Sequence, residues 1–326
     1  MDRRTFIGGA ASGLFAWPLA ASAQQPAKVA VVGVLYPGSS AGPILDNARQ
    51  GLRDFGYVDG KNIAFEVRFA GGKPETLLGL AADLVRRKVD VLLAIGPAAL
   101  RAVSDATSAI PIVAIDLESD PVQAGFARSL RQPGGNITGL FLDHPSLAGK
   151  WLELIREAVP GIRRIAVLVD TTTGPWQLAS IKRAAEKLRI ELQVLEVRNP
   201  GDLDQALGAA VKGGSLAIVT LSSPLFDSRL VGKQIAEFAM EHRLPAISFF
   251  RRFVEVGGLM AYGPNRSEYT NRSHIYIDKI LKGAKPADLP IEQPTKFDFV
   301  INLKTAKALG LTISQSLLLR ADELIQ

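Results

Sequence analysis

The sequence contains no cysteine. No disulfide can staple the chain, so packing alone must hold it. Histidine is scarce too: His144, His242 and His274 are the three present, and none falls in a metal-binding spacing such as His-x-x-x-His. Glycine pairs occur at 71–72, 134–135, 213–214 and 257–258. None belongs to G-x-G-x-x-G after the first strand or to a P-loop, so nucleotide binding has no support. Beyond the N-terminal region no stretch of about 18 uninterrupted apolar residues appears, so no later segment reads as spanning a membrane. Basic residues are scattered in small groups, Arg86-Arg87-Lys88, Arg163-Arg164 and Arg251-Arg252, without interleaved aromatics. Nucleic acid is excluded as a partner on that ground.

What is present starts with an export address. Arg3 and Arg4 are adjacent and followed by Thr5-Phe6-Ile7; an uncharged, mostly small and apolar run then closes on Ala21-Ser22-Ala23 before Gln24. That is the order of a secretory signal, and the paired arginines resemble the twin-arginine subtype. Gly8, Gly9, Ser12, Gly13 and Pro18 interrupt the run, which disfavours a membrane anchor. Residues 1–23 therefore read as a cleaved signal, leaving 303 of the 326 residues. At about 100–200 residues per domain this is material for two domains. The signal carries one of the six net positive charges, so the mature chain is left at +5. With no cysteine after the cleavage site, a lipid anchor is excluded. The expected location is the periplasm, free in solution.

From Lys28 onward short apolar runs alternate with helical patterns. Val29 to Leu35 is continuous and apolar, as in a parallel strand buried on both faces. Ile44, Ala48, Leu52 and Phe55 then fall on one helix face, with Gly56 as C-cap. Strands follow at 62–69, 89–95 and 111–115, with helices at 76–88 and 98–106. A second set repeats the plan: strands at 164–169, 191–197, 216–221 and 245–250, helices at 177–188, 203–211 and 230–242. Two consecutive βα series imply two doubly wound, Rossmann-like α/β lobes. After them come a helix over 266–281, a connector over 283–294, a strand over 296–302 and a short helix ending at Gly310. One more helix and one more strand complete two lobes only if the chain crosses between them repeatedly, which implies hinged lobes around a cleft.

In open parallel sheets ligands bind beyond the carboxyl ends of the strands. Those ends supply the candidate ligand-binding residues: Tyr36, Gly96, Asp116, Thr171, Ser222, Ser223, Phe250 and Tyr262. An aromatic ring would stack on Tyr36 or Phe250, a ligand ammonium would meet Asp116, and a carboxylate would meet backbone N–H groups at a helix start near Ser222-Ser223. Each also has a structural reading. Asp116 can cap the turn after its strand, Ser222 can cap the next turn, and the group Asp116, Glu118 and Asp120 can be a hydrogen-bonding cluster at the cleft rim. No catalytic residue, metal or cofactor emerges.

Two stretches, Asp120-Pro121-Val122-Gln123-Ala124-Gly125 and Ser129 to Gly139, resemble the central motif of the tryptophan-type ABC-transporter substrate-binding proteins. Lys150-Trp151-Leu152-Glu153-Leu154 is similar to the next helix of that family, and Gly257 to Gly263 with Phe297 to Leu311 resemble its C-terminal motifs. The resemblance covers nearly all of 28–326. It implies the type I periplasmic-binding fold, two lobes joined by three crossovers, a small organic ligand in the cleft, and delivery to an ABC permease with its ATPase. A monomer without cofactors or stable membrane insertion is expected. The crossover logic assigns 28–140 plus 265–285 to lobe 1 and 141–264 plus 286–326 to lobe 2, with Gly139, Gly263 and Pro264 near the crossings. Two rivals stay open: a periplasmic ligand sensor for a membrane kinase, which would share the cleft, and a periplasmic hydrolase with Asp116 or Glu118 as base.

Overall fold

A computed structural model describes residues 29–38, 42–142, 144–265 and 272–326. The export signal expected over 1–23 lies outside the described residues.

The first sheet is five-stranded and parallel, in the order β2-β1-β3-β4-β5. Its strands are β1 (Ala30–Tyr36), β2 (Ile63–Phe69), β3 (Val91–Ile95), β4 (Ile112–Asp116) and β5 (Ile137–Phe141). Every residue of β3, β4 and β5 is buried, because helices cover both faces, which is why these strands read as unbroken apolar runs. The helices are α1 (Gly42–Asp54), α2 (Leu77–Arg86) and α3 (Pro97–Ala106). Gly56 follows α1 with φ +85°, the left-handed turn expected of its position.

The second sheet has seven strands in the order β12-β11-β10-β9-β8-β6-β7. They are β6 (Arg164–Asp170), β7 (Glu191–Val197), β8 (Ile218–Thr220), β9 (Ala246–Ser248), β10 (Met260–Pro264), β11 (Phe297–Asn302) and β12 (Glu323–Ile325). All neighbours are parallel except β10 and β11. Its helices are α4 (His144–Ala158), α5 (Trp176–Leu188), α6 (Leu203–Lys212), α7 (Arg229–Glu241) and the short α8 (Arg251–Glu255). Trp151 anchors α4: it is fully buried, its Nε1 donates to the Tyr262 carbonyl at 2.7 Å, and its ring meets Phe249 edge-on at 6.0 Å.

Several elements differ from the sequence expectation. The strand expected over 216–221 contracts to Ile218–Thr220, and beyond it the Ser222 and Ser223 hydroxyls donate to Glu118 and Asp170. Of the helix expected over 266–281, residues 266–271 lie outside the described residues, and α9 spans Ser273–Leu281. The short helices α10 (Leu303–Ala308) and α11 (Gln315–Arg320) close the chain before β12.

The chain passes three times between the two sheets: after β5, after β10 and after α9, which packs on α1, β3, β4 and β5. The passages are hydrogen-bonded to one another. Phe141 N–H donates to the Glu292 carbonyl at 3.0 Å, and Glu292 N–H donates to the Gly139 carbonyl at 2.9 Å. Asn265 N–H donates to the Lys296 carbonyl at 2.8 Å, continuing the β10–β11 ladder. Two glycines make the close approaches possible. A Cβ on Gly139 (φ +134°) would lie 2.1 Å from the Ala114 carbonyl oxygen, and one on Gly263 would lie 2.1 Å from that of Phe249.

Candidate functional site

The carboxyl ends of the two sheets face each other, and the chain beyond β4, β6 and β8 forms a buried polar cluster between them. Asp116 ends β4 and is fully buried. Its Oδ1 accepts N–H bonds from Glu118 (3.0 Å) and Ser119 (2.9 Å), so it caps the turn. Its Oδ2 is buried without a partner among the described residues. Glu118 emerges from that turn. Its Oε2 accepts from Leu117 N–H at 3.1 Å, while its Oε1 lies 2.7 Å from the Ser222 hydroxyl, which arrives from the second sheet. This contact joins residues 104 apart in sequence and spans the cleft.

The second sheet holds Ser222 firmly. Gln177 of α5 accepts from Ser222 N–H and donates to its carbonyl, both at 2.8 Å. The next residue, Ser223, donates its hydroxyl to Oδ2 of Asp170 at the end of β6. Oδ1 of Asp170 accepts from the N–H (2.8 Å) and hydroxyl (2.7 Å) of Thr172. Burial pushes the Asp116 carboxyl above its ordinary range. Burial, with the Asp116 charge as a second cause, pushes Glu118 up to about 8; Asp170 adds in the same direction and the Ser222 hydroxyl opposes. Desolvation disfavours an anion, and a like charge nearby disfavours it further.

A pocket of about 40 Å³ adjoins this cluster, lined by Tyr36, Ile44, Ile95, Gly96, Ile115, Leu117 and Glu118 from one side and Pro224, Asp227 and Phe250 from the other. A larger pocket of about 370 Å³ opens further out. Pro37, Gly38, Gly71, Gly72, Pro97 and Ala98 face Asp170, Thr172, Thr173, Arg198, Pro224 and Leu225 across it. Gly96, with φ +83°, stands between the two. A Cβ there would lie 3.5 Å from Pro224 Cγ and 3.7 Å from Pro37 Cγ. Pro224 of the second lobe thus closes against the first, and the two pockets share it as a wall. The outer one has the volume of small-molecule sites, about 300–1,000 Å³.

The sequence-predicted residues distribute unevenly over this geometry. Tyr36, Gly96 and Phe250 line the inner pocket. Ser222 and Ser223 are buried in the polar cluster beside it. Asp116 lies behind, and Glu118 presents the carboxylate to the pocket in its place. Thr171 is exposed and lines neither pocket; Thr172 and Thr173 occupy the expected position. Tyr262 turns away from the cleft: its ring stacks on Phe297 at 5.7 Å and meets Phe299 edge-on at 6.4 Å. No helix starts at Ser222-Ser223. The chain turns through 224–227 and α7 begins at Arg229, while Ser222 N–H is committed to Gln177. Sequence reasoning missed Gln177 and Asp227. A glutamine on the buried face of α5, with Ser180, Ile181 and Ala185, was the available signal for the first; nothing local marked the second.

Residues 28–325 match the model of a family described as ABC transporter substrate binding protein. A curated relative, the tyrosine-binding protein of Clostridioides difficile (strain R20291), is 28% identical over 275 residues, covering 82% of this chain and 78% of that protein. Among solved structures, an ABC domain from Streptococcus pneumonia in complex with L-Trp superposes with a TM-score of 0.81 at 26% identity, covering 91% of this chain and 99% of that one. The ligand-free, open structure of a substrate-binding protein with adhesive properties from Clostridium difficile covers the same shares at 25% identity, yet its TM-score is 0.64. At nearly equal identity and coverage, this chain superposes more closely on the tryptophan complex than on the open, ligand-free structure.

Proposed function

The chain belongs to the family of ABC transporter substrate-binding proteins, with the type I periplasmic-binding fold, and from that premise we propose that it captures an aromatic or amino-acid-like solute between its lobes in the periplasm and hands it to an ABC permease driven by its ATPase. Lobe 1 is then 28–140 plus 265–285 and lobe 2 is 141–264 plus 286–326, acting as a monomer after removal of residues 1–23. The observation that carries this reading is the Glu118–Ser222 contact, which ties the facing strand ends of the two sheets at the back of a cleft. A solute touching both walls favours the closed state by its differential affinity for that state. Tyr36 and Phe250 supply ring faces for an apolar body, Glu118 the polar end, and the outer pocket the room.

The relative named for tyrosine and the neighbour holding L-Trp favour a ligand of that size. The test runs in two steps. Thermal-shift screening against amino acids, aromatic acids, amines and nucleosides identifies a ligand, because binding only the folded state raises the melting temperature. Solution scattering then compares free and saturated protein. The expected result is a smaller radius of gyration with ligand; superimposable curves at saturation defeat the capture mechanism.

A further inference from the structure

The inner pocket sorts what can enter by charge. Glu118 and Asp227 are the charged residues among the described residues that line it, and both are acidic. Tyr36 and Phe250 add ring faces, which attract cations; Ile44 and Leu117 add apolar wall. Behind Glu118 sits the partnerless, buried Oδ2 of Asp116, with Asp170 across the interface. Among the described residues no lysine or arginine is buried with them. Arg252 of α8 is the cation paired with Asp227: it donates to the Asp227 carbonyl at 3.1 Å with its Nε 4.0 Å from the Asp227 carboxylate, and it lines an adjoining pocket that shares Asp227 and Phe250 with the inner one. A ligand carboxylate finds no counterpart in the inner pocket: the Ser222 N–H is taken and the next helix starts at Arg229.

We propose that the inner pocket receives the ammonium head of an organic amine carrying no carboxylate beside it, so that the captured solute is a cation rather than a zwitterionic amino acid. This rests on the reading of the cleft as a solute site and narrows its ligand class. About 40 Å³ suits an ammonium group and little more; the body extends past Pro224 toward the outer pocket as the lobes separate to admit it. The head replaces a proton. In the free protein Glu118 holds its proton up to about pH 8. When the ammonium arrives, the proton leaves for solvent, and the carboxylate forms a charge-assisted bond with the cation. The groups facing Glu118 are Asp116, Asp170 and the Ser222 hydroxyl, with Asp227 on the same pocket wall. All the ionisable ones among them are acidic; Asp227 is offset by Arg252, and no cation among the described residues is buried beside the others.

Two amine and amino-acid pairs with common bodies test this on the intact mature protein: tyramine with tyrosine, and tryptamine with tryptophan. 3-(4-Hydroxyphenyl)propionate serves as the acid lacking an amine. Calorimetric titration should show at least one amine binding about tenfold or more tighter than its amino acid, with no binding of the propionate. Heats in two buffers of different ionisation enthalpy should report proton release, and amine affinity should rise between about pH 6 and pH 8. The variant Glu118→Gln should lose about tenfold or more in amine affinity and most of that pH dependence. Tyrosine or tryptophan bound as tightly as its amine overturns the proposal and returns a carboxylate partner, Arg252 being the first to examine. Failure of both amines to bind overturns it equally. Compaction in scattering on binding an amino acid would leave solute capture standing while removing the amine; absence of compaction with any bound solute would remove the capture mechanism itself.

Discussion

Glu118→Gln also tests the electrostatics without any ligand. In the folded protein the Glu118 carboxyl is pushed from 4.5 up to about 8, mainly by burial and then by Asp116. The folded state therefore binds more protons than the unfolded state between those values. A raised carboxyl pKa contributes no destabilisation below the unfolded value and costs increasing stability as pH rises toward the folded value. One unit corresponds to about 1.4 kcal/mol, so the loss between about pH 4.5 and pH 8 reaches roughly 3–5 kcal/mol. Glutamine keeps the shape and has no proton to lose. Its amide can accept the Leu117 N–H bond through oxygen and donate to Ser222 through nitrogen, since the hydroxyl can rotate to accept. Urea unfolding at several pH values should show wild-type stability falling across that window while the variant falls less, with the variant more stable by about 3 kcal/mol or more near pH 8. The comparison between variant and wild type matters, because Asp116 is raised as well and contributes a slope of the same sign to both. Parallel slopes for the two proteins would refute the claim that Glu118 is buried as a neutral acid.

Gly263→Ala should destabilise by about 3 kcal/mol or more in the same urea assay, because the added Cβ meets the Phe249 carbonyl oxygen at 2.1 Å and overpacking of this kind has no flexible side chain to displace; a change within about 0.5 kcal/mol would show that β9 and β10 can separate freely. N-terminal sequencing of exported protein should begin at Gln24, and a mature form still starting at Met1 would remove the cleavage reading.

The two βα series were legible because each parallel strand is an apolar run between glycines, prolines and polar turns. Ala30–Tyr36 and Arg164–Asp170 needed nothing from the rest of the chain to be seen. The short strand Glu323–Ile325 and the short helix Arg251–Glu255 were not legible. Neither has an amphipathic period of its own, and Arg251 pairs with both Glu255 and Glu323 to hold them in place. The strand Ile137–Phe141 was hidden by Thr138 and Gly139 at its centre, where the glycine serves a close approach to Ala114. For the cleft, the strand ends located the region but not the side chains. The β4 strand is buried on both faces, so its pattern does not say which of Asp116 and Glu118 reaches the pocket once the chain leaves the sheet. Ser222 was chosen for its position, yet its partners Glu118 and Gln177 lie 104 and 45 residues away. Such contacts come from the docking of two lobes and leave no local trace.

The hydrogen bonds among the three passages give the molecule something like a piano hinge. Because Gly139, Phe141 and Glu292 are stitched together on one side and Asn265 and Lys296 on the other, the passages bend as one ribbon rather than as three independent tethers. Such a ribbon yields easily about one axis and resists sliding and twisting about the others. The gap between the walls is then set by a single angle, opening little beside the hinge and more with distance from it. A solute held between the walls is therefore gauged by its thickness at each depth. Mutations in the ribbon should alter how far the jaws swing without touching any residue the solute meets.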